Sequence, residues 1–193
     1  MRFLTCCALL LSCFLVPGTA LAEQKTALKN ENLLIGMPKR YKVAYQTRVK
    51  NMKMTEMIPK TQVLKSWSEM LTVQVFLNDK KLTPVKFFNS IRTVHKKACK
   101  GSRATLIRKG IENGYAFSFF FLVCPLNPKT KKPEYTWFKT IRGNDSFYVV
   151  QKAWKNSPSK AGIVKWSKYL RRVSVCDTRL ADRKCPSPSP NRR

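Results

Sequence analysis

Apolar and polar positions along this chain fall into two periods, and the two periods define most of its elements. Tyr41, Val43 and Tyr45 alternate with Lys42, Ala44 and Gln46 over residues 40–48, which predicts a half-buried strand. Residues 52–58 predict a second strand ended by Pro59, close enough to the first for a hairpin. Residues 60–69 read as an irregular connection carrying Trp67, and 70–77 as a third strand with Leu71, Val73, Val75 and Leu77 facing inward. The period then changes. Thr83-Pro84 is a helix start, a cap residue followed by proline at the first helical position. Through Cys99, Val85, Phe88, Ile91 and His95 share a face with Phe87, Val94 and Ala98, broadly opposite Lys86, Lys96 and Lys97.

The most apolar stretch is 116–124, uncharged and rich in phenylalanine. Apolar residues on both alternate sets predict a strand covered on both faces, the centre of a sheet. Asn113-Gly114 before it is a strong hairpin signal, because both turn positions need positive φ, and 103–111 is then the partner strand. Residues 125–134 form a loop rich in proline and lysine, and 135–142 and 146–154 a further hairpin across Gly143-Asn144-Asp145. Ser157 or Ser159 caps a last helix whose apolar stripe is Ile163, Trp166, Leu170 and Val173, with Lys165, Lys168, Arg171 and Arg172 on the other side. Residues 23–32 are polar and read as loose, 176–185 as a loop, and 186–193 as a disordered basic tail. The element order β-β-β-α-β-β-β-β-α predicts an α+β fold, a mostly antiparallel sheet of about seven strands with two packed helices.

The N-terminus changes the setting. Met1-Arg2, an apolar run over 3–16, Pro17-Gly18 and Ala20-Leu21-Ala22 compose a secretory signal with cleavage expected after Ala22. The run is far short of the ~20 residues of a membrane span, and Leu10 to Cys13 makes a poor lipoprotein signal. One α+β domain over 23–185 follows, exported to the periplasm or the exterior.

Three cysteines leave with the signal, and Cys99, Cys124, Cys176 and Cys185 remain. An even count in an exported chain reads as two disulfides with three connectivities. Sequence proximity favours Cys176–Cys185, which leaves Cys99–Cys124. The absence of a close Cys-x-x-Cys pair argues against zinc.

Three segments, 31–39, 54–60 with 66–74, and 175–186, resemble a family of small uncharacterised exported proteins of Gram-negative bacteria. That resemblance implies a periplasmic setting and no activity. The element order is also loosely similar to the PsbP-type α+β fold, which implies nothing about function.

Catalytic constellations are thin. His95 is the only histidine, four residues before Cys99, and reads as an apolar-face residue beside a disulfide-bonded cysteine. A lone histidine excludes the two-histidine ribonuclease mechanism. Glu56 and Glu69 flank the Trp67 connection but read as counter-charges rather than a glycosidase pair. No phosphate-cradling glycine loop or metal-ligand spacing occurs, so no cofactor, metal or catalytic residue is expected. Charge is the positive lead. The formal net charge is +28, a field that attracts polyanions. Cations beside aromatics single out Lys39, Arg40 and Lys42 at Tyr41, Lys129, Lys131 and Lys132 before Tyr135 and Trp137, and Lys165, Lys168 and Arg172 on the last helix. The expectation is a non-enzymatic envelope protein binding an anionic membrane surface, through lipid headgroups or lipopolysaccharide. The alternatives are an accessory subunit of an envelope complex and a non-specific nucleic-acid binder.

Overall fold

The computed structural model describes residues 28–79 and 81–186. The expected signal segment and the residues after Pro186 lie outside this range. The strands are β1 (Glu31–Leu34), β2 (Tyr41–Val49), β3 (Met52–Pro59), β4 (Glu69–Leu77), β5 (Arg103–Glu112), β6 (Tyr115–Cys124), β7 (Glu134–Arg142), β8 (Ser146–Trp154) and β9 (Ser174–Asp177). The helices are α1 (Pro84–Ala98) and α2 (Lys160–Arg171), with short 3-10 turns at Leu64–Ser66 and Ala181–Arg183. The fold is α+β. Seven strands form one antiparallel sheet in the order β2-β3-β4-β8-β7-β6-β5, and β1 pairs with β9 in a second, two-stranded sheet.

Local chemistry explains the boundaries. Thr83 caps α1, its hydroxyl accepting from the Lys86 N–H at 3.2 Å, with Pro84 next in line. Ser159 rather than Ser157 caps α2, accepting from Gly162 N–H at 3.1 Å. Asn113 and Gly114 both take positive φ, 49° and 74°, the conformation a two-residue hairpin requires.

The sheet is covered on both faces. Phe88 of α1 packs edge-on against Phe120, which stacks on Phe138 at 4.7 Å, and Leu122, Phe147 and Val149 complete that cluster. On the other face Trp166, Leu170 and Val173 of the α2 region pack with Phe117, Phe119, Trp137, Tyr148 and Val150, and Val175 of β9 joins them. Each fully buried aliphatic or aromatic side chain contributes about 1.5–3 kcal/mol by removal from water. Strand β6 feeds both clusters, as its double-sided apolarity predicts.

Several expectations need correction. Strand β6 is next to the sheet edge, not its centre; β8 occupies the middle, its residues nearly all buried. The segment expected to be loose runs into β1 at Glu31–Asn32, and the loop expected from Cys176 begins inside β9, each strand too short to show a period. In β2 only Tyr41 is buried; Val43 is exposed on this edge strand, and a bulge between it and Tyr45 breaks the alternation, so Tyr45 is exposed too. Val85, Val94 and Ala98 of α1 also face outward, leaving Phe88, Ile91 and Phe87 as the packing stripe.

Both expected disulfides form. Cys99–Cys124 joins the end of α1 to the end of β6, and Cys176–Cys185 closes the segment after β9. Two disulfides fit an oxidising compartment. Among the described residues no helix is long and apolar enough to cross a membrane.

Candidate anion-binding face

Strand register lines up one row of residues across the whole sheet. Tyr41 lies opposite Pro59, Glu69 opposite Trp154, Trp154 opposite Tyr135, Tyr135 opposite Val123, and Val123 opposite Arg103. The connections 35–40, 60–68, 99–102, 125–133 and 155–159 all leave the sheet beyond this row. They carry Lys39 and Arg40; Lys60 and Lys65; Lys100; Lys129, Lys131 and Lys132; and Lys155, and not one acidic residue. All except the half-buried Lys155 are exposed. The last turn of α1 adds exposed Lys96 and Lys97 beside them.

Glu69 and Glu134 begin β4 and β7 at the basic end, while most of the acids lie toward the opposite one. Glu31 accepts from the Asn144, Asp145 and Ser146 N–H groups and from the Tyr148 hydroxyl. Arg179 binds both Asp177 and Asp145 at 2.6 and 2.7 Å, which holds the Asp177 carboxyl below its ordinary range. Asp79 and Asp182 lie in connections at that same end. One end of the sheet is therefore purely basic in its connections, and the other is of mixed sign.

The basic connections are tied to one another. Lys60 N–H donates to Arg40 O at 2.7 Å, Lys155 N–H to Ser68 O at 2.8 Å, and Cys99–Cys124 links two more. Within 125–134, the Asn127 side chain accepts from Lys129 and Thr130 N–H and donates to Glu134, forming an Asx turn that holds the lysines outward. Lys155 stands 3.8 Å from the Trp67 ring centre. Burial there lowers its pKa and Lys132 adds to the effect, against the pull of Glu134.

A cleft continues from this end along α2. Leu34, Ile35, Met37, Pro38 and Val173 line a space of about 330 Å³ with Lys39, Tyr169 and Arg172, and a neighbouring space of about 310 Å³ adds Tyr41, Lys165 and Trp166. Tyr169 divides the two and donates its hydroxyl to Gly36 O at 2.6 Å, and burial pushes its pKa up to about 12. The result is an apolar floor with cations at its rim.

The nine expected binding residues thus separate. Lys39, Lys165 and Arg172 meet at the cleft, and Arg40, Lys129, Lys131 and Lys132 stand on the basic end. Lys42 is exposed on edge strand β2, and Lys168 is exposed on α2 but lines neither space. The sequence reading missed Lys60, Lys65, Lys100 and Lys155, for only the register brings their segments together.

It also missed two interior lysines. Lys152 is fully buried, bonded to Glu69 at 2.6 Å and to the Tyr41 hydroxyl at 2.7 Å, and Lys139 is 2 % exposed and bonded to Glu112. Glu69 is a counter-charge, as expected. Glu56 is half-buried on β3, and burial raises its carboxyl pKa. His95 is half-buried, its pKa lowered by burial, and the Cys99 sulfur beside it is committed to a disulfide. Among the described residues no group of three His, Cys, Asp or Glu is placed to hold a metal ion.

Fold and site together define an α+β domain with a charge-polarised sheet. No protein-family model matches the chain, and no curated protein matches it significantly. Among solved structures, the Ran-binding protein Mog1p of Saccharomyces cerevisiae is similar with a TM-score of 0.42 and 8 % identity, over 74 % of this chain and 85 % of that one. A Mog1 point mutant gives 0.41 and 9 %, over 72 % and 84 %. The solution structure of cyanobacterial PsbP from Synechocystis gives 0.40 and 11 %, over 79 % and 95 %. The loose PsbP-type likeness expected from element order is present at that level. Likeness this weak carries no functional argument.

Proposed function

We propose that the protein is a non-enzymatic, exported envelope component that binds an anionic membrane surface through the basic end of its sheet. The observation that carries this reading is the row of connections rich in lysine and arginine and free of acid, with Glu69 and Glu134 at the adjoining strand ends and most other acids toward the opposite end. A one-sided field of this kind orients a protein on a charged plane, with each cation near such a surface contributing roughly 1 kcal/mol. The cleft bordered by Lys39, Lys165 and Arg172 suits phosphate oxygens at its rim and the first apolar segment of a lipid on its floor. Phospholipid and lipopolysaccharide share that chemistry. The two disulfides support an oxidising compartment such as the periplasm.

Co-sedimentation with anionic and zwitterionic vesicles, and retention on DNA, each across a salt series, test the reading. Expected are binding to anionic vesicles that persists near 0.15 M salt and weaker binding to DNA. Reversal of Lys129, Lys131 and Lys132 to Glu should abolish most vesicle binding, whereas the charge-matched reversal of Lys50, Lys81 and Lys184 at or near the other end should not. Equal losses from both sets would reduce the effect to net charge and sink the proposal. DNA binding of equal strength, with the same salt slope, would favour the nucleic-acid reading.

A second reading, an accessory protein-interaction subunit, draws on edge strand β2. It leaves Val43, Tyr45 and Val49 exposed at 44 %, 43 % and 54 % beside an unpaired backbone edge. Its signature is a stoichiometric envelope partner retained at high salt and lost on replacement of Val43 and Tyr45 by Lys.

A further inference from the structure

On the α2 side of the sheet, towards edge strand β5, a second pocket of about 200 Å³ opens between β5, the middle of β6 and β7, and the last turn of α2. Its floor is the buried pair Phe117 and Phe119. Ile107 and Arg108, successive residues of β5, both line it. The register shift between Leu106 and Arg108 explains this, since a bulge re-aims a side chain that regular alternation would turn away.

The charges are arranged for an anion. Lys139 sits at the base, its ammonium bonded to Glu112 and donating to Arg171 O at 3.1 Å. Arg108 and Lys139 lie 5.7 and 5.4 Å from the Phe117 ring centre. Glu112 is thereby held by Lys139, and neither Arg108 nor Arg171 has a carboxylate partner among the described residues. Two guanidinium groups with no carboxylate partner of their own therefore border an aromatic floor, and the one acid in the lining, Glu112, is paired with Lys139. Guanidinium favours the paired oxygens of a carboxylate, and a cavity of about 150 Å³ already holds benzene.

We propose that this pocket binds a small organic monoanion, a carboxylate on an aromatic or short aliphatic body. The body rests on Phe117 and Phe119 and the carboxylate lies between Arg108 and Arg171. Lys139 plays a positioning part by keeping Glu112 off both arginines. The site is separate from the basic end of the sheet and does not depend on lipid binding.

Isothermal titration of the whole mature protein with benzoate, inorganic phosphate and benzyl alcohol, at constant ionic strength, tests this. Saturable one-to-one binding is expected for benzoate alone. Arg108→Gln and Arg171→Gln should each weaken it about tenfold or more, the effect of one lost charged hydrogen bond. The combined Lys129→Gln, Lys131→Gln and Lys132→Gln variant removes more charge elsewhere and should change affinity less than about twofold. No saturable benzoate binding, equal binding of phosphate, or equal weakening by the loop variant would overturn the proposal.

Discussion

The Lys152 ammonium lies 4.3 Å from the centre of the Trp166 ring, a lysine of the middle strand enclosed by an aromatic of the covering helix. Tyr41 and Trp154 approach the same charge at 5.1 Å each, and Glu69 and the Tyr41 hydroxyl take its hydrogen bonds. Four elements, β2, β4, β8 and α2, are thus joined at one cation. A buried pair of this kind is tolerated through its partners rather than favoured for itself.

Removing the two partners should therefore have unequal effects. Glu69→Gln leaves a fully buried ammonium without its counter-charge and should destabilise by about 3 kcal/mol or more. Lys152→Met places an apolar chain among Tyr41, Trp154 and Trp166, and should cost less than about 1.5 kcal/mol. Urea denaturation of both variants decides; equal losses would remove the distinction.

The same lysine sets a pH profile. Burial pulls its pKa down to about 8, Glu69 opposing, against the ordinary lysine value of roughly 10.5. Between these values the unfolded chain holds a proton that the folded chain has lost, so stability rises with pH. Tyr41, Tyr148 and Tyr169 act oppositely, since burial raises each and their contribution is present below about pH 10 and lost above it. The denaturation midpoint should climb from pH 8 to about 10 and then fall. Lys152→Met should climb less, and a parallel climb in both proteins would assign the effect to the general loss of lysine charge.

Glu31 fastens the small sheet to the large one. Its carboxylate takes the N–H groups of the β7–β8 turn and the Tyr148 hydroxyl, and it comes so near Gly143 that a Cβ there would collide with Oε1. Glu31→Gln should cost about 2 kcal/mol, the difference between charged and neutral acceptors over several bonds. Gly143→Ala should cost at least as much by displacing the carboxylate. Hydrogen exchange at Asn144 to Ser146 reads the effect directly, and unchanged protection in both variants would refute the anchor.

The covalent links should differ in strength with the loops they close. On the chain-entropy relation, replacing Cys99 and Cys124 by Ala costs about 3.5 kcal/mol and replacing Cys176 and Cys185 about 2.6, for separations of 25 and 9 residues. Thiol labelling of the purified mature protein should find no reactive cysteine; two labelled sites would contradict one bond and four would contradict both.

How much of this was legible depended on length and phase. The strands of the large sheet, long enough to repeat a period, could be read from alternation or from an unbroken apolar run. Leu33-Leu34 and Val175-Cys176 belong to strands of four residues and carry no period to read. In β2 the bulge after Val43 shifted the phase and made Tyr45 look internal. The buried lysines did leave a signal: Lys152 is in phase with Val150 and Trp154, and Lys139 with Trp137 and Ile141, so alternation alone placed both charges on an apolar face. The basic end was legible only in fragments. Lys39 and Lys129 stood out beside aromatics, but their assembly with Lys60 and Lys155 is set by strand pairing, which composition does not encode.

Trp67 offers an optical test of that assembly. Its ring lies under Lys155 at the basic end and is half-buried, whereas Trp137, Trp154 and Trp166 are 7 %, 8 % and 5 % exposed within the α2-side core. A surface that approaches the basic end therefore changes the surroundings of one tryptophan and leaves three in place. Addition of anionic vesicles should shift the tryptophan emission, and Trp67→Phe should remove the shift while vesicle co-sedimentation persists. Zwitterionic vesicles should give no shift, because the lysines supply the attraction. Any shift caused by benzoate should survive in Trp67→Phe, because its pocket floor Phe119 stacks on Trp137 and not on Trp67. A vesicle-induced shift that survives in Trp67→Phe would place the contact at another face or report a loosened core, and the proposed orientation on the membrane would fall.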